Sequence, residues 1–259
     1  KDWLFGGGGE DQIYGGKDAD HLEGNGYHDL LWGEHGSDHV DGGGGHDSLW
    51  GGIGNDTLDS GSGGDTIYGG GGADFIRGGS ADSQVDVGRF ELIYGGDGND
   101  RIYGAQNVRS DIFGEGGNDY IDADSNANDL LDGGDGNDEL IAARGNDTLI
   151  GGTGDDRLYS SNGAALLVTG EGNDTVTVYG GNDTIRFGAD DALSFSATVV
   201  RLFSAEDGDR IELLSGTIDD FDDLALDESV VHRRRGHRGS LTGRLHRGRL
   251  NRLEKDEGD

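Results

Sequence analysis

The sequence predicts an all-β fold: a parallel β-roll, a right-handed, β-helix-like solenoid of stacked nine-residue units, ending in a C-terminal β cap. Three observations carry that expectation. Aspartate recurs at an unbroken spacing of nine, as Asp11, Asp20, Asp29, Asp38, Asp47, Asp56, Asp65 and Asp74. Two residues after each stands an aliphatic: Ile13, Leu22, Leu31, Val40, Leu49, Leu58, Ile67 and Ile76. The residues between are rich in glycine, which supplies 54 of the 259 positions, while Pro, Cys and Met are absent. A fixed period with one aliphatic per unit marks a stacked-repeat architecture, where each unit buries its apolar side chain only against neighbouring units. A flexible Gly/Asp linker has no reason to hold an aliphatic in register.

The unit reads G-G-x-G-x-D-x-U-x, with U aliphatic. The last three residues predict a very short strand whose central side chain points inward and whose flanking side chains point out. The first six predict a turn, in which glycine at positions one, two and four permits positive φ and leaves carbonyl oxygens unshielded. Two units close one coil of 18 residues, so turns along one edge stack at the interstrand spacing of about 4.8 Å.

The register falters between Gly78 and Tyr94, where Ser83 is expected in the acid position, and recovers at Gly95-Gly96-Asp97-Gly98-Asn99-Asp100. Two ten-residue units follow, Gly104 to Phe113 and Ala123 to Asp132. Further acids stand at Asp119, Asp138, Asp147, Asp156, Asp174 and Asp183, and Ala165 takes one slot. The repeat therefore spans residues 6–186.

Charge bounds what such a roll needs. Acidic residues outnumber basic ones 52 to 20, so the compact state repels itself unless cations neutralise it, and nucleic acid is excluded as a partner. No disulfide is available as a staple, and the hydrophobic residues, 32% of the chain, are too few for a thick core. Ca²⁺ takes six to eight oxygen ligands in flexible geometry, which a mixture of carboxylates and turn carbonyls from two stacked turns supplies; Mg²⁺ gives up water less readily. Eight regular turns on two edges predict about six fully enclosed ions, with fewer or weaker sites beyond Gly78.

The units Gly6-Gly7-Gly8-Gly9-Glu10-Asp11-Gln12-Ile13-Tyr14, Gly51-Gly52-Ile53-Gly54-Asn55-Asp56-Thr57-Leu58-Asp59 and Gly69-Gly70-Gly71-Gly72-Ala73-Asp74-Phe75-Ile76-Arg77 resemble the RTX (repeats-in-toxin, haemolysin-type) calcium-binding nonapeptide. The resemblance implies bound Ca²⁺, a β-roll, and type I export of a secreted, extracellular protein into calcium-rich medium. It implies no particular activity, because such arrays accompany toxins, lipases, metalloproteases, alginate-modifying enzymes and adhesins. The candidate ligands are the carboxylates of Asp11, Asp20, Asp29, Asp38, Asp47, Asp56, Asp65, Asp74, Asp100, Asp119, Asp138, Asp147, Asp156, Asp174 and Asp183. With them go the turn glycines Gly7, Gly9, Gly43, Gly45, Gly52, Gly54, Gly70, Gly72, Gly96, Gly98, Gly134, Gly136, Gly152 and Gly154.

Position nine alternates in character. Tyr14, Trp32, Trp50 and Tyr68 fall every 18 residues, predicting an outward aromatic ladder on one sheet. Such a ladder serves strand stacking or, in a second reading, binding of a surface polysaccharide. His21, His28, His35, His39 and His46 crowd the first coils at irregular spacing, without the H-E-x-x-H pattern of zinc proteases, and are expected to be solvated. No G-x-S-x-G elbow, no cysteine nucleophile and no helix for a triad is found, so no catalytic site is expected in this chain. Any enzyme is expected in a missing N-terminal domain, since the sequence opens at Lys1 without Met and reads as a piece of a longer protein.

No apolar run approaches the length of a membrane span, and no signal-peptide pattern opens the chain. Residues 187–231 are expected to cap the open end of the stack; within them Phe203 to Leu213 resembles, over a short stretch, a segment that follows RTX arrays in serralysin-type proteases. The basic tail, residues 232–259, carries Arg233, Arg234, Arg235, Arg238, Arg244, Arg247, Arg249 and Arg252. It departs from the base-poor export signals of the family and is expected to be disordered.

Overall fold

The computed structural model describes residues 1–80, 90–123, 125–187, 199–201, 209–213 and 225–226. Every strand among them pairs in parallel, and the strands form two ladders of 14 and 11 members joined by turns along two edges. The expected parallel β-roll is therefore what forms, as a solenoid of about ten coils without a helix among the described residues.

One coil holds 18 residues where the sequence is regular. Leu31 pairs with Leu49 and Val40 with Leu58, so equivalent side chains lie directly over one another. The ten-residue units lengthen the coil by one without losing register, since Ile102 pairs with Ile121 and Ile112 with Leu131. The irregular stretch after Gly78 is absorbed in the same way, because Ile67 pairs with Ile93 and Ile76 with Ile102. An insertion at a turn bulges outward, whereas one within a strand would rotate every later side chain to the wrong face.

The strands of the two ladders differ in length. In the smaller ladder they run six residues, as in Ser48–Ile53 and Thr66–Gly71, continuing from x-U-x into the next turn. In the larger one the regular coils use the expected three, as in Thr57–Asp59 and Phe75–Arg77. Each x-U-x strand of the regular coils places its central aliphatic in a thin core: Leu22, Leu31, Val40, Leu49, Leu58, Ile67, Ile76 and Ile93 are all fully buried. Each such side chain contributes about 1.5–3 kcal/mol, and the contribution repeats coil by coil.

Beyond Arg186 the ladders continue. Val199–Arg201 pairs with Thr175–Val178, Arg210–Leu213 with Thr184–Phe187, and Ala225–Leu226 with Val199–Arg201. These three strands fall in the stretch expected to cap the roll; apart from Phe187 and Asp209, the rest of that stretch lies outside the described residues, as do the basic tail and Ser83.

Candidate metal-binding edges

The register sorts the acids into two columns. Asp20, Asp38, Asp56, Asp74, Asp100, Asp119, Asp138, Asp156 and Asp174 stack along the first edge. Asp11, Asp29, Asp47 and Asp65 open the second. Within a column each backbone N–H donates to the carboxylate of the next coil: Asp38 to Oδ1 of Asp56 at 2.7 Å, Asp56 to Oδ1 of Asp74 at 2.8 Å, and Asp119 to Oδ1 of Asp138 at 2.8 Å.

Only one oxygen of each carboxylate is used in this way. Oδ2 of Asp20, Asp38, Asp56, Asp74, Asp100, Asp119, Asp138 and Asp156, and of Asp11, Asp29, Asp47, Asp65 and Asp183 on the second edge, is buried without a hydrogen-bond partner. Buried acceptors are ordinarily satisfied, and a buried charge without a partner is costly. Burial accordingly pushes Asp47, Asp74 and Asp119 up to about 7, Asp56, Asp100 and Asp138 to about 6, and Asp156 to about 8, against the opposing pull of the backbone N–H donors. The next acid in the column adds repulsion, as Asp100 does for Asp74.

Backbone oxygens converge on the same edge. A Cβ on Gly51 would lie 2.6 Å from Oδ2 of Asp56 and 2.5 Å from the carbonyl oxygen of Gly69 in the next coil, so glycine at position one keeps a cradle of oxygens open. Its role differs from the expected one: position one is required for space, and positive φ in the regular turns falls at positions two and four, as in Gly52 (110°) and Gly54 (143°). A Cβ at Gly54 would fall on the carbonyl oxygen of Gly36, which shows that turn carbonyls point along the roll axis toward the next coil. Gly7, Gly9, Gly43, Gly45, Gly70, Gly72, Gly96, Gly98, Gly134, Gly136, Gly152 and Gly154 share the positive φ.

Among the described residues no three His, Cys, Asp or Glu side chains form a metal-binding cluster. A cation at these edges must therefore draw on backbone carbonyls as well as carboxylates. That all-oxygen donor set, with a buried uncompensated charge in each turn, fits a hard cation of the Ca²⁺ type.

Three acid-slot residues escape a reading by fixed spacing. Glu91 is fully buried and accepts the N–H of Asp65 through Oε2 at 2.7 Å, so it fills the slot expected for Ser83. Asp129 accepts the N–H of Ser110 at 2.8 Å and passes its own N–H to Asp147 at 2.9 Å. Asp209 accepts from Asp183 at 3.0 Å. Each precedes an aliphatic by two residues, before Ile93, Leu131 and Ile211, and that local signal survives where the period of nine does not.

The aromatic ladder is longer than its 18-residue spacing indicates. Tyr14, Trp32, Trp50, Tyr68, Tyr94 and Phe113 stack in one file, with ring centroids 4.4, 4.8, 5.6, 5.0 and 5.1 Å apart and nearly parallel planes. His28, His35 and His46 are exposed, as expected, while His21 and His39 are half-buried. His28 stacks on His46, whose N–H donates to Nδ1 of His28 at 2.7 Å. His21 stacks on His39, and its Nε2 lies 2.8 Å from Glu23 Oε1.

Parallel turns that stack carboxylate and carbonyl oxygens in columns define a cation-binding repeat solenoid. The chain belongs to the RTX family: the RTX calcium-binding nonapeptide repeat (4 copies) matches residues 1–22, 14–49, 50–85, 91–107, 111–130, 124–158, 132–167 and 159–192. Its repeats are thus calcium-binding, with several sites. No curated protein matches the chain.

Proposed function

We propose that this chain is a calcium-triggered folding module of a secreted protein, held extended by carboxylate repulsion at low calcium and closed into a roll when Ca²⁺ fills its edges. The observation that carries the reading is the column of buried Oδ2 atoms without partners from Asp20 to Asp156. The Asp carboxylates at position six, joined by turn carbonyls of the glycine positions, are the ligands. Bound Ca²⁺ supplies the positive charge that lets the ionised columns close. Because the cradle forms only when two coils stack, binding free energy is folding free energy.

Such coupling suits export. A chain without compact structure threads a secretion channel and folds outside, where calcium is plentiful, then supports an attached enzyme, toxin or adhesin domain. No catalytic role is assigned to the chain itself. In the second reading, a calcium-dependent polysaccharide-binding module, the aromatic ladder is the contact surface. The stacking speaks for the structural role, because each interior ring turns its faces to its neighbours, and sugar recognition needs a free face.

The test is far-UV circular dichroism of the chain, starting in chelator and titrated with Ca²⁺ or Mg²⁺. A cooperative gain of β signal with Ca²⁺ alone is expected. A chain already folded in chelator, or indifferent to Ca²⁺, would overturn the proposal.

A further inference from the structure

The two edges differ, and the difference grows along the roll. On the first edge, position one of the turn is glycine in every coil from Gly15 through Gly33, Gly51, Gly69, Gly95, Gly114 and Gly133 to Gly151. Position six is aspartate without interruption from Asp20 to Asp174. On the second edge this composition is first broken at Ser60. Position one runs Ser60, Gly78, Gly104, Ala123, Ala142, Ser160 and Val178, so glycine is replaced in every turn only from Ala123 onward, and the five non-glycine residues are essentially buried. The acid slot in these turns runs Asp65, Glu91, Ser110, Asp129, Asp147, Ala165 and Asp183.

These substitutions fill the cradle with protein. A Cβ at position one of the first edge would lie 2.6 Å from Asp56 Oδ2 at Gly51 and likewise 2.6 Å from Asp74 Oδ2 at Gly69. Side chains at Ala123, Ala142 and Ser160 take up that space on the second edge. Ser160 pairs in register with Ala142, and Val178 with Ser160, so the corner is packed coil on coil. Hydroxyls also do what a cation would otherwise do. Ser125 Oγ donates to Oδ2 of Asp129 at 2.6 Å, the oxygen left without a partner in first-edge turns. Ser60 Oγ donates to Oε1 of Glu91 at 3.1 Å.

Resting on the calcium reading above, we infer that the roll is asymmetric in its metal demand. The first edge binds Ca²⁺ from the turn of Asp20 to that of Asp156, up to the last turn, where Thr169 takes position one. The second binds it through the opening turns of Asp11, Asp29, Asp47 and Asp65, and from Ala123 to Ala165 is closed by the side chains of Ala123, Ala142 and Ser160 and by the Ser125–Asp129 hydrogen bond. The expected thinning of sites beyond Gly78 is thus a property of one edge. An edge that stacks without metal gives the later coils a seam able to form first, onto which calcium then closes the other side.

The test compares Asp138→Asn on the first edge with Asp129→Asn on the second, two fully or nearly fully buried acids in neighbouring turns. Bound calcium per chain is counted by equilibrium dialysis at saturating Ca²⁺, with circular dichroism confirming that each variant is folded, and the calcium midpoint of folding is read alongside. Asp138→Asn is expected to lose bound calcium and to raise the midpoint severalfold. Asp129→Asn is expected to keep the calcium count and midpoint of the unmodified chain, while Ser125→Ala lowers thermal stability without changing the count. Equal calcium loss in the two Asn variants overturns the asymmetry and leaves the calcium reading intact. Absence of calcium uptake by the unmodified chain overturns both.

Discussion

Replacing Gly54 by alanine isolates the demand that coil stacking places on a turn. Gly54 sits at φ 143°, and an added Cβ would fall on the carbonyl oxygen of Gly36 in the preceding coil. Backbone strain of this kind costs about 1–3 kcal/mol, and overpacking against a fixed backbone about 1–3 kcal/mol more. The expected loss is thus on the order of 2–6 kcal/mol. Gly71, in the next turn of the same edge, is the control: a Cβ there meets nothing within 4 Å, and alanine should stabilise by about 0.4–1 kcal/mol through the unfolded chain. At saturating Ca²⁺, with a urea dependence of about 2 kcal/mol per M, Gly54→Ala should lower the urea midpoint by about 1–3 M. Gly71→Ala should leave it unchanged or raise it slightly. Equal midpoints for the two variants, or a larger loss at Gly71, would refute the argument that axial carbonyl stacking dictates glycine at position four.

Other consequences follow from burial and stacking. In chelator, the roll should gain stability as pH falls. Asp47, Asp74, Asp119 and Asp156 are raised to about 7, 7, 7 and 8 in the folded state from 3.8, so between about pH 8 and 4 the folded chain holds more protons than the unfolded one. Circular dichroism in chelator should show β structure appearing on acidification. In calcium the sign reverses, since protons compete for the same oxygens, and a metal-free roll that melts on acidification would contradict the burial account. Leu49→Ala, at a fully buried position, should cost about 2–5 kcal/mol, measured as a thermal or urea shift in calcium. Trp50→Ala removes two stacked contacts, to Trp32 and Tyr68, and should cost about 1–3 kcal/mol in stability without altering bound calcium; a calcium loss measured by dialysis would assign the ladder a different role.

The repeat was legible because its two strongest signals are local. Asp at position six and an aliphatic two residues later define the turn and the inward side chain without reference to any other coil, so the period, the strand direction and the calcium chemistry all follow from the chain read in order. Where the period broke, sequence reasoning by counting nines lost the register. It placed Ser83 in a slot that Glu91 fills, and passed over Asp129 and Asp209, whose position before an aliphatic was the surviving cue.

What the sequence by itself determined was a stacked, acidic, calcium-binding roll, because one coil's residues dictate one coil's shape. Only the tertiary structure decided which acid lies over which, since that depends on how each irregular unit is absorbed at a turn. It also showed that position-one glycines answer to crowding between an aspartate oxygen and the next coil's carbonyl, and that the aromatic file runs on through Tyr94 to Phe113. The difference between the two edges appears at the same level. Two residues 18 or 19 apart in sequence become neighbours only when the coil closes, and only then does the N–H of Ser110 meet Asp129 on one edge while that of Asp119 meets Asp138 on the other.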